Sequence, residues 1–226
     1  GDVALDVALR ALPAIVERGT PSEQLLAARL VDGARPWVPA AARPRFARWV
    51  ARTFAGARAL GLTPRADDDV VRERQRGELV PLLAETGGDR ALRTAAVAAA
   101  RDWRRLPLAT RAMVLWLAVR ADPAVHDGLL AAFRDERDRV VRRDLARALG
   151  SVADPDRLAA ALALTLDPAI DIRDSVDIIY AATTREDTRP TVEAFVRANA
   201  DALLARLPVQ LRSGMIGWLT SGCDAA

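Results

Sequence analysis

The chain has 226 residues, about half of them apolar but only 4% aromatic, which is enough to bury a core built largely of small and aliphatic side chains. All 33 basic residues are arginine and the formal net charge is only +3, so the pI of 10.2 reflects missing lysine and gives little support for nucleic-acid binding, which needs a clustered basic face. One cysteine, Cys223, excludes an internal disulfide framework, and no apolar run is long enough to span a membrane.

In chain order, glycine, proline and aspartate divide the sequence into about twelve helical segments, at 2–18, 21–34, 39–60, 68–86, 89–105, 108–121, 123–135, 138–150, 155–166, 171–183, 188–206 and 209–221. Valine and isoleucine occur singly and not in alternating runs, so no segment reads as a strand. In the fifth segment Leu92, Ala96, Ala99 and Trp103 share one face, while Arg90, Arg93, Arg101 and Arg104 fall elsewhere. The sixth contains MVLWLAV (113–119), apolar all round, which predicts packing on more than one side. Val141, Leu145 and Ala148 of the eighth, with Val152 just beyond it, again form a stripe.

The breakers recur. Asp89, Asp122, Asp154 and Asp187 stand 33, 32 and 33 residues apart, each near the start of a helical pair. Asp122-Pro123 and Asp154-Pro155 read as an N-cap followed by proline at the first helical position, where a missing N–H costs nothing. Two helices per period of this length predict an all-α fold, a right-handed α-α superhelix of HEAT- or armadillo-like hairpins. Residues 1–226 are expected to form a single α-solenoid domain.

Few side chains are arranged for chemistry. His126, the only histidine, has no second histidine four residues away, so the H-E-x-x-H zinc pattern is missing; near a helix start it reads as a surface or packing residue. Cys223 has no histidine near it in sequence and reads as an inert thiol. The carboxylates of ADDDVV (66–71) lack the glycine and distal glutamate of a calcium loop and suit the positive end of a helix. The tryptophans at 37, 49, 103, 116 and 218 fall mostly on apolar faces, which predicts core packing. The densest basic stretch is RDERDRVVRRDLAR, 134–147. Its arginines either pair with acids of their own helix, or Arg139, Arg142, Arg143 or Arg147 lines the concave face and meets an anionic group. No constellation amounts to a catalytic site.

The segment LALTLDPAIDIRDSVDIIYAATTREDTRPTVEAFVRANADALLARLP, 162–208, resembles the C-terminal helical domain of the aminopeptidase N family of zinc metallopeptidases, the gluzincins. Ile172 and Arg173 match the start of the family's I-R-x-Q-D helix, with Asp174 one place early. Arg189 then precedes Phe195, Asn199 and Leu203 in a version of W-x-F-L-x-x-N-W-x-x-L. The two family tryptophans fall at Glu193 and Ala200, and the glutamine of the helix start is replaced by Ser175 or absent. RWVARTFAGARALGLTPRADDDVVRERQRGELV (48–80) and ALGSVADPDRL (148–158) extend the similarity over most of the chain.

The resemblance implies an auxiliary role. In that family the zinc, its H-E-x-x-H ligands and the G-A-M-E-N loop lie in a preceding catalytic domain, and none of those motifs occurs here. The chain is therefore expected to need no cofactor of its own and to be inactive alone, with zinc in the parent enzyme. Its expected partners are the parent's catalytic domain and a peptide substrate, and neither nucleic acid nor membrane. The helical bowl would cap the catalytic cavity and limit which peptides enter. Arg173, which matches the family motif, would contact the peptide's C-terminal part; alternatively it pairs with Asp177 four residues on. The opening GDVALDVALRALP enters in the middle of a helix pattern, and the expectation is a C-terminal fragment of a longer chain that lacks the final helices. Heavy alanine and arginine use points to a GC-rich bacterial genome, and a cytoplasmic parent is favoured over an exported one. The alternative function is a free-standing HEAT-like scaffold that binds a protein partner.

Overall fold

A computed structural model describes residues 5–220; Cys223 lies outside them. Among the described residues there are fourteen α-helices and no strand. The first five are α1 (Leu5–Arg18), α2 (Pro21–Ala34), α3 (Arg43–Thr53), α4 (Val70–Pro81) and α5 (Arg90–Ala100). They are followed by α6 (Leu108–Ala121), α7 (Ala124–Asp135), α8 (Arg139–Leu149), α9 (Pro155–Ala163) and α10 (Ile172–Thr183). The last are α11 (Arg189–Ala198), α12 (Ala200–Arg206), α13 (Val209–Arg212) and α14 (Gly214–Thr220).

Aspartate caps set five of these helix starts. Asp69, Asp89, Asp138, Asp154 and Asp171 each accept a backbone N–H from the first turn of the helix that follows, satisfying donors that have no intrahelical partner. Pro155 sits in the first turn of α9 as expected. At the preceding corner the start is displaced by one residue: Asp122 accepts from the Ala124 N–H at 3.0 Å, and Pro123 precedes the first helical residue. Asp187 departs from the pattern, because Thr188 occupies the cap position of α11 and the Asp187 carboxylate is taken up by ion pairs with Arg120 and Arg185.

Five expected segments are subdivided, among them 89–105, which becomes α5 and a 3-10 turn at Trp103–Arg105, and 209–221, which becomes α13 and α14. Residues 39–60 become α3 flanked by 3-10 turns at Ala40–Ala42 and Ala55–Leu60, since Pro44 lies in the first turn of α3 and favours a helix start there. The segment 68–86 ends in a π-helical turn, Leu82–Thr86, directly after Pro81, whose ring denies the helix an N–H. The segment 188–206 divides at Asn199, whose side-chain Nδ2 donates to the Phe195 carbonyl at 2.8 Å.

By its contacts the chain gathers into two compact units, residues 1–117 and 118–226. In the first, α2 packs on α1 and α4, and the π turn meets α3 and α5, around a core that includes Val31, Val50, Phe54, Val80 and Leu83. In the second, the helices form two layers. α7, α9 and α11 pack side by side in one, while α8, α10 and α14 do so in the other; α7 joins α8 and α10 joins α11 across the layers. Phe133, Leu145, Leu162, Ile178 and Val192 fill the space between. This is the hairpin stacking that the aspartate spacing predicts. In α6, Val114, Leu115, Leu117, Ala118 and Val119 are wholly buried, so apolar residues all round that helix have their expected outcome.

Gly150 ends α8 for a reason of space. Its φ is −71°, which any residue adopts, but a β-carbon there would stand 2.2 Å from the Ile178 carbonyl oxygen. Only glycine lets the end of α8 lie this close to α10.

Candidate functional site

Four arginines of 134–147 pair across helices. From α8, Arg139 donates from Nε to Asp174 Oδ1 at 2.9 Å, and Arg142 donates from Nη1 to Asp174 Oδ2 at 2.9 Å. One turn on, Arg143 and Arg147 face Asp177 of α10 at 3.5 and 4.0 Å. The neighbouring helix takes these four side chains. The four arginines follow the i, i+3, i+4, i+8 spacing that places them along one side of α8, opposite two aspartates one turn apart on α10.

Arg173 does not pair with Asp177. Its Nε and Nη2 donate to both oxygens of Asp171, at 3.0 and 2.5 Å, so it folds back over the cap of its own helix. That guanidinium, with the Arg173 backbone N–H, holds the Asp171 carboxyl down at about 2, and Arg139 adds a smaller attraction. The start of α10 thus collects Arg139, Arg142 and Arg173 around Asp171 and Asp174. Solvent access divides the cluster. The Asp174 and Arg142 side chains are 9% and 13% exposed, whereas Arg139 is 62% exposed. Arg143 and Arg147 are also more than half exposed, and their distances from Asp177 leave guanidinium donors for a further anion.

Other charged groups are structural. Arg157 grips Asp127 with two hydrogen bonds of 3.0 and 3.1 Å, tying α9 to α7. Arg120 donates to the Ser151 carbonyl at 2.8 Å and to Asp187 at 2.6 Å. Of the ADDDVV carboxylates, Asp69 caps α4, while Asp68 is buried against Arg76, which also donates to the Leu60 carbonyl at 3.0 Å. His126 is fully buried and neither ring nitrogen has a hydrogen-bond partner among the described residues; Asp127 stands 3.7 Å away, too far for one. Desolvation pushes its pKa below the ordinary value. Among the described residues no three His, Cys, Asp or Glu side chains come together to hold a metal ion. No described helix is long and apolar enough to cross a membrane.

Stacked, aspartate-capped hairpins occur in several solenoid families, so the sequence as a whole must decide among them. The family model of the ERAP1-like C-terminal domain matches residues 22–225. The chain belongs to that family. No curated protein matches it. As an ERAP1-like C-terminal domain it is a C-terminal helical domain of the aminopeptidase N family, and the motif residues take defined places. Ile172 is buried at the start of α10 and Leu203 in α12. Glu193 and Ala200, where the family has tryptophans, are partly exposed, and Val192 and Val196 fill the core on that side of α11.

Tryptophan outcomes differ. Trp103 and Trp218 are buried, but Trp37 is 73% exposed, which corrects the expectation of core packing there. Nearby, Phe46 and Trp49 stack on each other with ring centroids 5.8 Å apart. The sequence signal for this second surface is an acid-free run: residues 33–66 contain seven arginines and no aspartate or glutamate.

Proposed function

We propose that this ERAP1-like C-terminal domain is the substrate-enclosing part of a zinc aminopeptidase that removes N-terminal residues from peptides. The parent is bacterial by its arginine-for-lysine composition. The domain is joined to a metallopeptidase domain that supplies the zinc and the bond-breaking chemistry; it caps the cavity, admits peptides and excludes folded chains, and does not catalyse alone. Its partners are that catalytic domain and the peptide. The family match over 22–225 carries the reading.

The arginine cluster supports a contact with the peptide's C-terminal part. Arginine binds a carboxylate through two parallel hydrogen bonds, and Arg139, Arg143 and Arg147 are exposed and held by aspartates from a neighbouring helix. Arg142 is the positioning member: nearly buried, it fixes Asp174, which in turn orients Arg139. Arg173, committed to Asp171 through both oxygens, has the weakest claim to substrate.

The test compares the purified 226-residue chain with its parent on an aminoacyl-4-nitroanilide and on a nonapeptide. The chain alone is expected to bind no zinc and to release no product, whereas the parent does both. Arg143→Ala with Arg147→Ala in the parent should raise KM for the nonapeptide and leave the nitroanilide unchanged. Activity in the isolated chain, or a coding sequence without an upstream H-E-x-x-H, would overturn the proposal.

A further inference from the structure

The first unit carries a groove of about 560 Å³ lined by Trp37, Val38, Pro39, Arg45, Phe46, Trp49 and Arg52 together with Leu9, Arg10 and Ala42. That volume lies in the range of sites that take a ligand of a few side chains. Its floor is α3, where Arg45, Trp49 and Arg52 recur at i, i+4 and i+7 and therefore share one face. Trp37 leaves most of its ring to solvent. An exposed indole of this size is unusual away from a binding surface, because aromatic rings contribute a large apolar area.

Charge sets the ligand's sign. Several arginines elsewhere are taken up by aspartates: Arg58 by Asp89, Arg76 by Asp68, Arg157 by Asp127, and Arg139 and Arg142 by Asp174. Arg45 and Arg52 are exposed, and among the described residues neither has an acidic partner. No acid lies between Asp32 and Asp67 in sequence to supply one locally. Two exposed arginines on one helix face beside an apolar groove, with no acid near them in sequence, form a pattern that an anionic ligand with an apolar part fits.

Spacing sets the ligand's form. Seven residues along an α-helix place Arg45 and Arg52 about 10 Å apart along the axis. A peptide in the extended polyproline II form advances about 3.1 Å per residue with three residues per turn, so acids three residues apart share one side and stand about 9 Å apart, close to the arginine spacing. Between the two arginines lies the aromatic floor, which suits an apolar side chain between the acids. We propose that this groove docks an extended acidic segment of a partner protein, of the pattern acid–apolar–x–acid, with its carboxylates on Arg45 and Arg52 and its apolar side chain against Trp37 and the Phe46–Trp49 pair. A single nucleic-acid strand is disfavoured by the aromatics. Stacking needs a free ring face for each successive base, and Phe46 and Trp49 occupy one of each other's faces. This docking does not depend on an attached catalytic domain.

The experiment uses the 226-residue chain and a fluorescein-labelled peptide, Gly-Glu-Phe-Ala-Glu-Gly, blocked at both ends so that no terminal carboxylate contributes. Fluorescence anisotropy should show saturable binding that weakens between 50 and about 300 mM salt, as exposed ion pairs are screened. Replacing both glutamates of the peptide by glutamine, or making Arg45→Glu with Arg52→Glu in the chain, should weaken binding at least about tenfold, some threefold per exposed charged pair. Phe→Ala in the peptide, or Trp37→Ala in the chain, should each cost about tenfold from lost apolar burial. All three chain substitutions are at exposed positions, and an unchanged circular dichroism spectrum verifies folding. Absence of binding, equal binding of the glutamine peptide, or tighter binding of a twelve-nucleotide oligothymidine would each overturn the proposal.

Discussion

Removing the Asp174 carboxylate should destabilise the second unit far more than removing either exposed arginine of the same cluster. Asp174 is 9% exposed and accepts hydrogen bonds from Arg139 and Arg142. In Asp174→Ala the Arg142 guanidinium, itself 13% exposed, loses its counterion in a largely dry position. Its Nε has no hydrogen-bond partner even in the native arrangement. Breaking a buried pair by deleting one partner costs about 3–5 kcal/mol. The lower end applies here, because Arg142 keeps some solvent and lies over the Phe133 ring at 5.5 Å. Arg139→Ala, which removes a mostly exposed partner, should cost below about 1 kcal/mol. Replacing both buried partners, Asp174→Leu with Arg142→Met, should recover most of the loss, since neither charge is then left alone. Urea unfolding followed by circular dichroism would show a midpoint about 1.5 M lower for Asp174→Ala at an m-value of about 2 kcal/mol/M. Because two compact units can unfold separately, hydrogen exchange in α8 and α10 locates the effect. A cost below 1 kcal/mol for Asp174→Ala, or an equal cost for Arg139→Ala, would refute this reasoning.

Three further outcomes are expected. His126 is buried and desolvation lowers its pKa from 6.5, so the unfolded chain takes up the proton first. Its contribution to stability is complete above about pH 6.5 and declines as the pH falls below that value. Urea midpoints at pH 7.5 and 5.5 should therefore differ, and His126→Leu should reduce the difference. Gly150→Ala should destabilise by about 1–3 kcal/mol, because the added carbon meets the Ile178 carbonyl. Gly128→Ala in α7, where a β-carbon meets nothing within 4 Å, should instead stabilise by about 0.5–1 kcal/mol; thermal melts of the two variants should shift in opposite directions.

The parts of the fold legible in the sequence are the parts fixed locally. Asp89, Asp154 and Asp171 act on backbone donors two or three residues away, so the corners they make are visible in a short window. Asp187 has the same residue type and register, yet its partner Arg120 lies 67 residues earlier, beyond any local pattern. The cluster at the start of α10 shows the same division. Its arginines were identifiable as a dense stretch, but their partners Asp174 and Asp177 belong to a helix some thirty residues later. Charge alternation along α8 suggested partners on the same helix, and the packing of α8 on α10 supplied others. Trp37 was obscured by a different asymmetry: apolar residues fill cores, but not every apolar residue lies in one. His126 fits the packing alternative that its position left open, with full burial that a lone polar residue in sequence does not announce.

The cross-helix pairs have one more consequence. Arg58 reaches Asp89 across 31 residues, Arg157 reaches Asp127 across 30, Arg142 reaches Asp174 across 32, and Arg120 reaches the Ser151 carbonyl across 31. Each fastener spans about one hairpin period, so within its own unit it latches one link to another. Such a chain loses links from an end without loosening those that remain, and its length can change by whole links without a new set of latches. The Arg120 to Asp187 bond, at 67 residues, is the splice that reaches past the adjacent link and stiffens two at once.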